Sequence, residues 1–235
     1  MEIATANVMI TLGTTAQSFD WGNFWTALFG AGFGALVAFK FNTWHESRKN
    51  YAGILYKIDE LIYLTQLAFE DLVMLKTAIK DNIAGCEIPL IMIDLECIKV
   101  KECTFLSYYS PYLLSLLHNI IVAFNGLISA INNYNNKIKL GLTPSEFEAI
   151  DNIKKGYFVV IETILTCIFI LHKYLNKYKV NYSQKFFNIT IPYIEDDSII
   201  LQHCPNYKDS DIYKSWTDKM EEFSAEKFGK YKKGS

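Results

Sequence analysis

The chain is expected to be all-α, with one N-terminal transmembrane helix continuing into a cytoplasmic antiparallel helical bundle. Three observations support this. Residues 21–41, "WGNFWTALFGAGFGALVAFKF", form an apolar run; apolar residues recur at helical spacing over most of residues 42–178; and no proline interrupts residues 42–84. Four segments follow: an extracytoplasmic 1–20, a span over 21–41, a bundle over 42–190, and a C-terminal segment over 191–235.

Residues 1–20 contain no Lys or Arg, whereas Lys40, Arg48, Lys49 and Lys57 follow the apolar run. A secretory signal has the opposite order, with positive charge before the apolar stretch. The positive-inside bias places the N-terminus outside and everything after Lys40 in the cytoplasm of a bacterial inner membrane, in a single pass. Trp21 and Trp25 at one end, and Trp44 with Arg48 and Lys49 at the other, are candidate interfacial anchors. A helix from Trp21 to Phe41 rises about 30 Å, the thickness of the hydrocarbon core. Gly30, Gly34 and Ala38 repeat every four residues, and Ala27, Ala31 and Ala35 do so beside them. Such a face lets neighbouring backbones approach closely in lipid, so these six residues are the candidate contacts of a homo-oligomer.

In the body, Tyr51, Ile54, Leu55, Ile58, Leu61, Ile62, Ala68, Leu72, Leu75 and Ile79 form a helical stripe in which Thr65 is a polar break, and Gly85 is the expected stop. Residues 90–110 fit either a short helix or irregular structure. From Tyr112 to Ile138 the apolar density would suit a second span. The face carrying Ser115, His118, Asn119, Asn125, Ser129, Asn132, Asn133 and Asn136 argues for an amphipathic helix instead. Of these, His118, Asn119, Asn125, Ser129 and Asn132 are candidates for a buried polar seam, the alternative being a solvated surface.

In "LGLTPSEFEAI", Gly141 ends that helix, Thr143 caps the next, Pro144 takes its first position and Glu146 completes a capping box. The new helix runs to about Tyr178 and carries Glu162 within its most apolar stretch. An unpaired carboxylate there is costly in lipid, which weighs against a three-span arrangement. "FFNITIPYI" could be extended, and a last helix is expected from Asp209 or Ser210 through Phe223.

The net charge of −2 and a single arginine, Arg48, leave no basic face for direct nucleic-acid binding. Five cysteines, Cys86, Cys97, Cys103, Cys167 and Cys204, show no zinc-ligand spacing, and the four histidines pair with neither cysteine nor carboxylate at ligand spacing. No metal, cofactor or catalytic residues are assigned. "IEDDS" over 194–198 lacks the glycine and terminal glutamate of a calcium loop and is expected to be solvated.

The layout "FWTALFGAGFGALVAF…WHESRKN", a span leading into a helical body across residues 21–178, resembles the small HEPN-like membrane proteins that accompany RNA-targeting type VI CRISPR nucleases. The resemblance implies oligomerisation in the inner membrane, pore formation or depolarisation, and partnership with a nuclease complex in antiviral defence. HEPN ribonucleases carry a histidine five to seven residues after an arginine. After Arg48 those positions are Gly53, Ile54 and Leu55, so no catalytic residues carry over. The expected function is a membrane-perturbing effector and not an enzyme. The alternatives are a passive tether that recruits a cytoplasmic enzyme and a HEPN-type ribonuclease.

Overall fold

A computed structural model describes residues 21–90, 98, 100–187 and 196–229, with side chains in the first helix described from Phe33 onward. Every regular element among the described residues is helical: α1 (Trp21–Asp81), a 3₁₀ segment (Val100–Tyr108), α2 (Pro111–Leu140), α3 (Pro144–Phe187), α4 (Ser198–His203), a 3₁₀ turn (Tyr207–Asp209) and α5 (Asp211–Gly229). The chain divides into two compact units, residues 1–49 and 50–235, and α1 contributes to both. The expected extracytoplasmic segment over 1–20 and most of the stretch expected to be extended, residues 188–194, lie outside the described residues; Phe186 and Phe187 belong to α3.

In the second unit α1 ends at Asp81, short of Gly85. The Asn82 side chain diverts the backbone by donating from Nδ2 to the carbonyls of Glu87 (2.9 Å) and Cys86 (3.4 Å). Gly85 then turns the chain with φ +86°, a conformation that favours glycine. The segment beyond is fastened to α2 by Asn135, whose Oδ1 accepts from the Ile88 N–H and whose Nδ2 donates to the Ile88 carbonyl, both at 2.8 Å.

Ser110 caps α2 by accepting from the Tyr112 N–H at 3.2 Å, with Pro111 in the first turn. The helix buries Leu113, Leu116, Leu117, Ile120, Phe124, Leu127, Ile131 and Tyr134, one stripe at alternating three- and four-residue steps. Gly141 closes it at φ +89°. The capping box that opens α3 forms as its spacing requires: the Thr143 N–H donates to Glu146 Oε2 (3.1 Å) and the Glu146 N–H to Thr143 Oγ1 (3.4 Å). The Thr143 N–H, followed by Lys137 at 3.0 Å, pulls the Glu146 carboxyl down to about 2.

α3 runs nine residues beyond the expected end at Tyr178, to Phe187. Its partners on α1 occur in reverse order: Lys179 meets Asp59, His172 meets Thr65 and Glu162 meets Lys76. These stretches are therefore antiparallel. α4 follows, and α5 packs on α3 and α2, so the C-terminal segment belongs to the same unit as the bundle.

Asn135→Leu removes both bonds to Ile88 and strands a buried N–H and C=O. Unfolding of the full chain in mild detergent, followed by circular dichroism, should show a loss of about 3 kcal/mol. Asn136→Leu, on the exposed neighbouring position, should change stability by less than about 0.5 kcal/mol.

Candidate functional site

Two regions carry unusual chemistry, one in each unit. In the first, residues 33–46 are exposed throughout although they are largely apolar. Phe33 is 72% exposed and Phe39 70%, with Leu36, Val37, Phe41 and Trp44 also open on different sides of the helix. A Cβ built on Gly34 would meet nothing within 4 Å, so the groove beside it is vacant in the single chain. Ala35 and Ala38 are exposed, and Ala27, Gly30 and Ala31 lie on the same helix, as do Trp21 and Trp25. Where the apolar stretch ends, the Arg48 guanidinium sits 4.3 Å from the centre of the Trp44 ring, and Phe41 packs obliquely on Trp44 at 5.7 Å. Thr43 and Ser47 donate their hydroxyls back to the carbonyls of Phe39 (2.8 Å) and Thr43 (2.7 Å), which leaves no hydroxyl hydrogen projecting from that part of the helix. Lys49 is exposed.

The second region is the polar junction where α1, α3 and α4 meet. Thr65, fully buried, donates to the Leu61 carbonyl at 2.7 Å and lies 2.6 Å from His172 Nε2. The Thr65 hydroxyl thus has the Leu61 carbonyl and the His172 ring nitrogen within hydrogen-bond distance, and the tautomer of the ring sets the direction of the His172–Thr65 bond. Burial lowers the His172 pKa to about 4, so the ring is neutral around pH 7. A histidine beside a hydroxyl is the pairing that activates nucleophiles. Here the hydroxyl is fully buried, and the pair joins α1 to α3.

Farther along, Lys76 Nζ donates to Glu162 Oε1 and to the His203 carbonyl, both at 2.7 Å, linking α1, α3 and the end of α4. Beside this link lies a cavity of about 440 Å³ lined by Glu162, Thr166, Cys204, Tyr207 and Ser210, among others. Burial raises the Cys204 thiol to about 11 and Cys167 to about 12, so both remain protonated and poorly nucleophilic.

Ser115, His118, Asn119, Asn125, Ser129, Asn132, Asn133 and Asn136 all lie on the exposed face of α2. The buried amide of that helix is Asn135, which the polar stripe does not single out. Of the acidic cluster, Asp196 accepts from the Ser198 N–H at 2.9 Å and Asp197 pairs with Lys208 at 2.5 Å. Among the described residues no group of His, Cys, Asp and Glu could hold a metal ion. The His172–Thr65 pair was visible in the sequence only as a polar break in an apolar stripe and a histidine at the end of "IFIL".

Among the described residues, two helices are long and apolar enough to cross a membrane by length and composition, Pro111–Leu140 and Pro144–Asn181, each with a mean hydropathy of 1.8 over its most apolar window. The sequence expectation counted only one span, outside both. Comparison with known protein families, with curated proteins and with solved structures finds no match for this chain.

His172 makes stability depend on pH. Its pKa is about 4 in the folded protein against about 6.5 unfolded, so between these values the unfolded chain binds more protons. Stability from this group is therefore complete above about pH 6.5 and falls as pH drops toward 4, by about 3 kcal/mol in all. In denaturation midpoints across that range, His172→Gln should have a shallower slope than the parent chain; equal slopes would assign the pH dependence to other groups.

Proposed function

We propose that the protein is a membrane-anchored helical effector of the bacterial inner membrane, held by a single span over residues 21–41 with the N-terminus outside and the body in the cytoplasm. The observation that carries this reading is the exposure of Phe33, Leu36, Val37, Phe39 and Phe41 around the circumference of α1. A helix apolar on all sides needs either a protein core or lipid around it, and the described residues supply no core at these positions.

The two membrane-length helices are read differently. As a lipid-facing span, α2 would put His118, Asn119, Asn125, Asn132, Asn133 and Asn136 into hydrocarbon, each at a cost that water avoids. The apolar stretch of α3 is enclosed by its neighbours in the bundle, and its Glu162 is paired with Lys76. Both helices have the character of core helices.

The small-residue face, Ala27, Gly30, Ala31, Gly34, Ala35 and Ala38, is assigned to contact between copies, and the open space at Gly34 supports close approach there. Assembly through this face, with the likeness to the HEPN-like accessory proteins, favours membrane depolarisation in antiviral defence as the output, triggered by a partner protein or nuclease complex. A tether would share the anchor but not the depolarisation. A ribonuclease reading has no Arg–His pair on which to rest.

Replacing Gly30 and Gly34 together with leucine should preserve insertion, since leucine is favourable at the bilayer centre, while holding backbones apart. The variant should reach the membrane at normal abundance, run as a smaller complex in mild detergent and lose the depolarisation that the parent chain produces, read with a potential-sensitive dye. Native complex size with full depolarisation would sink the assembly face. A parent chain that does not depolarise cells alone or with its partner would favour the tether.

A further inference from the structure

We infer that Lys40, Trp44 and Arg48 form a docking surface for the phosphate of an anionic phospholipid, a proposal that rests on the single-span reading above. The three residues are four apart on one helix, so each is turned only about 40° from the last and lies about 6 Å farther along the axis. They therefore form a strip on one side, beginning where the exposed apolar segment ends. The tryptophan holds the middle of the strip and is 49% exposed. Arg48 is fixed over that ring at 4.3 Å, which gives the guanidinium a set position before any lipid arrives.

Charge complementarity selects the occupant. Between residues 40 and 49 the chain carries Lys40, Arg48 and Lys49 against one acid, Glu46. Glu46 is two residues from both Trp44 and Arg48, about 200° around the helix, and so faces away from the strip. Thr43 and Ser47 donate to backbone carbonyls and do not compete for the ligand. A lipid whose headgroup carries a net negative charge gains attraction to two cations, while its acyl chains lie along Val37 and Phe41; a zwitterionic headgroup gains little of this attraction. The guanidinium held beside the ring supplies one positive charge, and Lys40 adds a point charge one turn before the ring.

The test uses the full chain with Trp21, Trp25 and Trp216 changed to phenylalanine, so that Trp44 is the sole tryptophan. It is reconstituted into vesicles of phosphatidylcholine with a minority of phosphatidylglycerol, with bromine on the upper acyl chain of one lipid or the other. Trp44 fluorescence should be quenched by brominated phosphatidylglycerol well beyond its mole fraction, corresponding to an association preference of about fivefold over phosphatidylcholine that weakens in high salt. Lys40→Gln with Arg48→Gln should return the ratio to the mole fraction, and Lys80→Gln, exposed in the last turn of α1 and far from the strip, should leave the preference in place. Quenching of the parent by both lipids in proportion to mole fraction would overturn the lipid preference while leaving the span intact. A preference retained in the Lys40/Arg48 double variant would overturn its assignment to this strip. Absence of quenching by either lipid would overturn both the docking surface and the membrane reading on which it rests.

Discussion

Residues 161–175 of α3 are apolar around most of the helix circumference, and the second unit is organised by the need to keep water away from them. Ile161, Leu165, Ile168, Ile170, Leu171 and Leu175 are fully buried. No single neighbour can cover a helix on all sides, so cover comes from several: the Leu113-to-Tyr134 stripe of α2, the inner face of α1 from Ile58 to Ile79, and Met220 of α5. At about 25 cal/mol per Å² of apolar surface removed from water, this enclosure is the main favourable term for the bundle. It also requires that polar groups drawn inside find partners. Thr166 accordingly donates to the Glu162 carbonyl and Tyr174 to the Thr217 carbonyl, and His172 pairs with Thr65.

The same constraint applies to residues 33–44 of α1 and is not met by the described protein. Their aromatic and aliphatic side chains are as apolar as those of α3, yet they are exposed. The pairing of Arg48 with Trp44, at the end of this stretch, has the mixed character that suits a boundary between hydrocarbon and water. Length and hydropathy also mark α2 and α3 as able to cross a membrane, but their buried stripes pack against one another and against α1, whereas the apolar side chains of residues 33–44 are exposed.

Features governed by neighbours in sequence were legible in advance. Gly141, Thr143, Pro144 and Glu146 interact within one turn, and the resulting end and start of helices formed where their spacing placed them. The periodicity of α2 likewise identified its exposed polar face, since a 3.6-residue repeat maps directly onto one side of a helix. What was not legible depends on contacts far apart in the chain. His172 meets Thr65 across 107 residues, and Asn135 meets Ile88 across 47. Beside eight exposed polar residues on α2, nothing local distinguishes Asn135, the asparagine that faces inward. α4 was missed because six residues hold too little pattern to show a period; its place depends on Lys76 reaching the His203 carbonyl from another helix.

The central claim is that the membrane surrounds residues 21–41 and leaves α2 and α3 in water. It is tested most directly at Val122, which lies in the middle of α2 and is 55% exposed. With Val122→Cys in native membrane vesicles, turned so that the cytoplasmic face is outward, a membrane-impermeant maleimide should modify residue 122 at a rate close to that of the exposed native Cys86, as read by peptide mapping. A Val37→Cys variant should be protected. Protection of residue 122 with ready labelling of residue 37 would contradict the account and place the bilayer around the bundle helices.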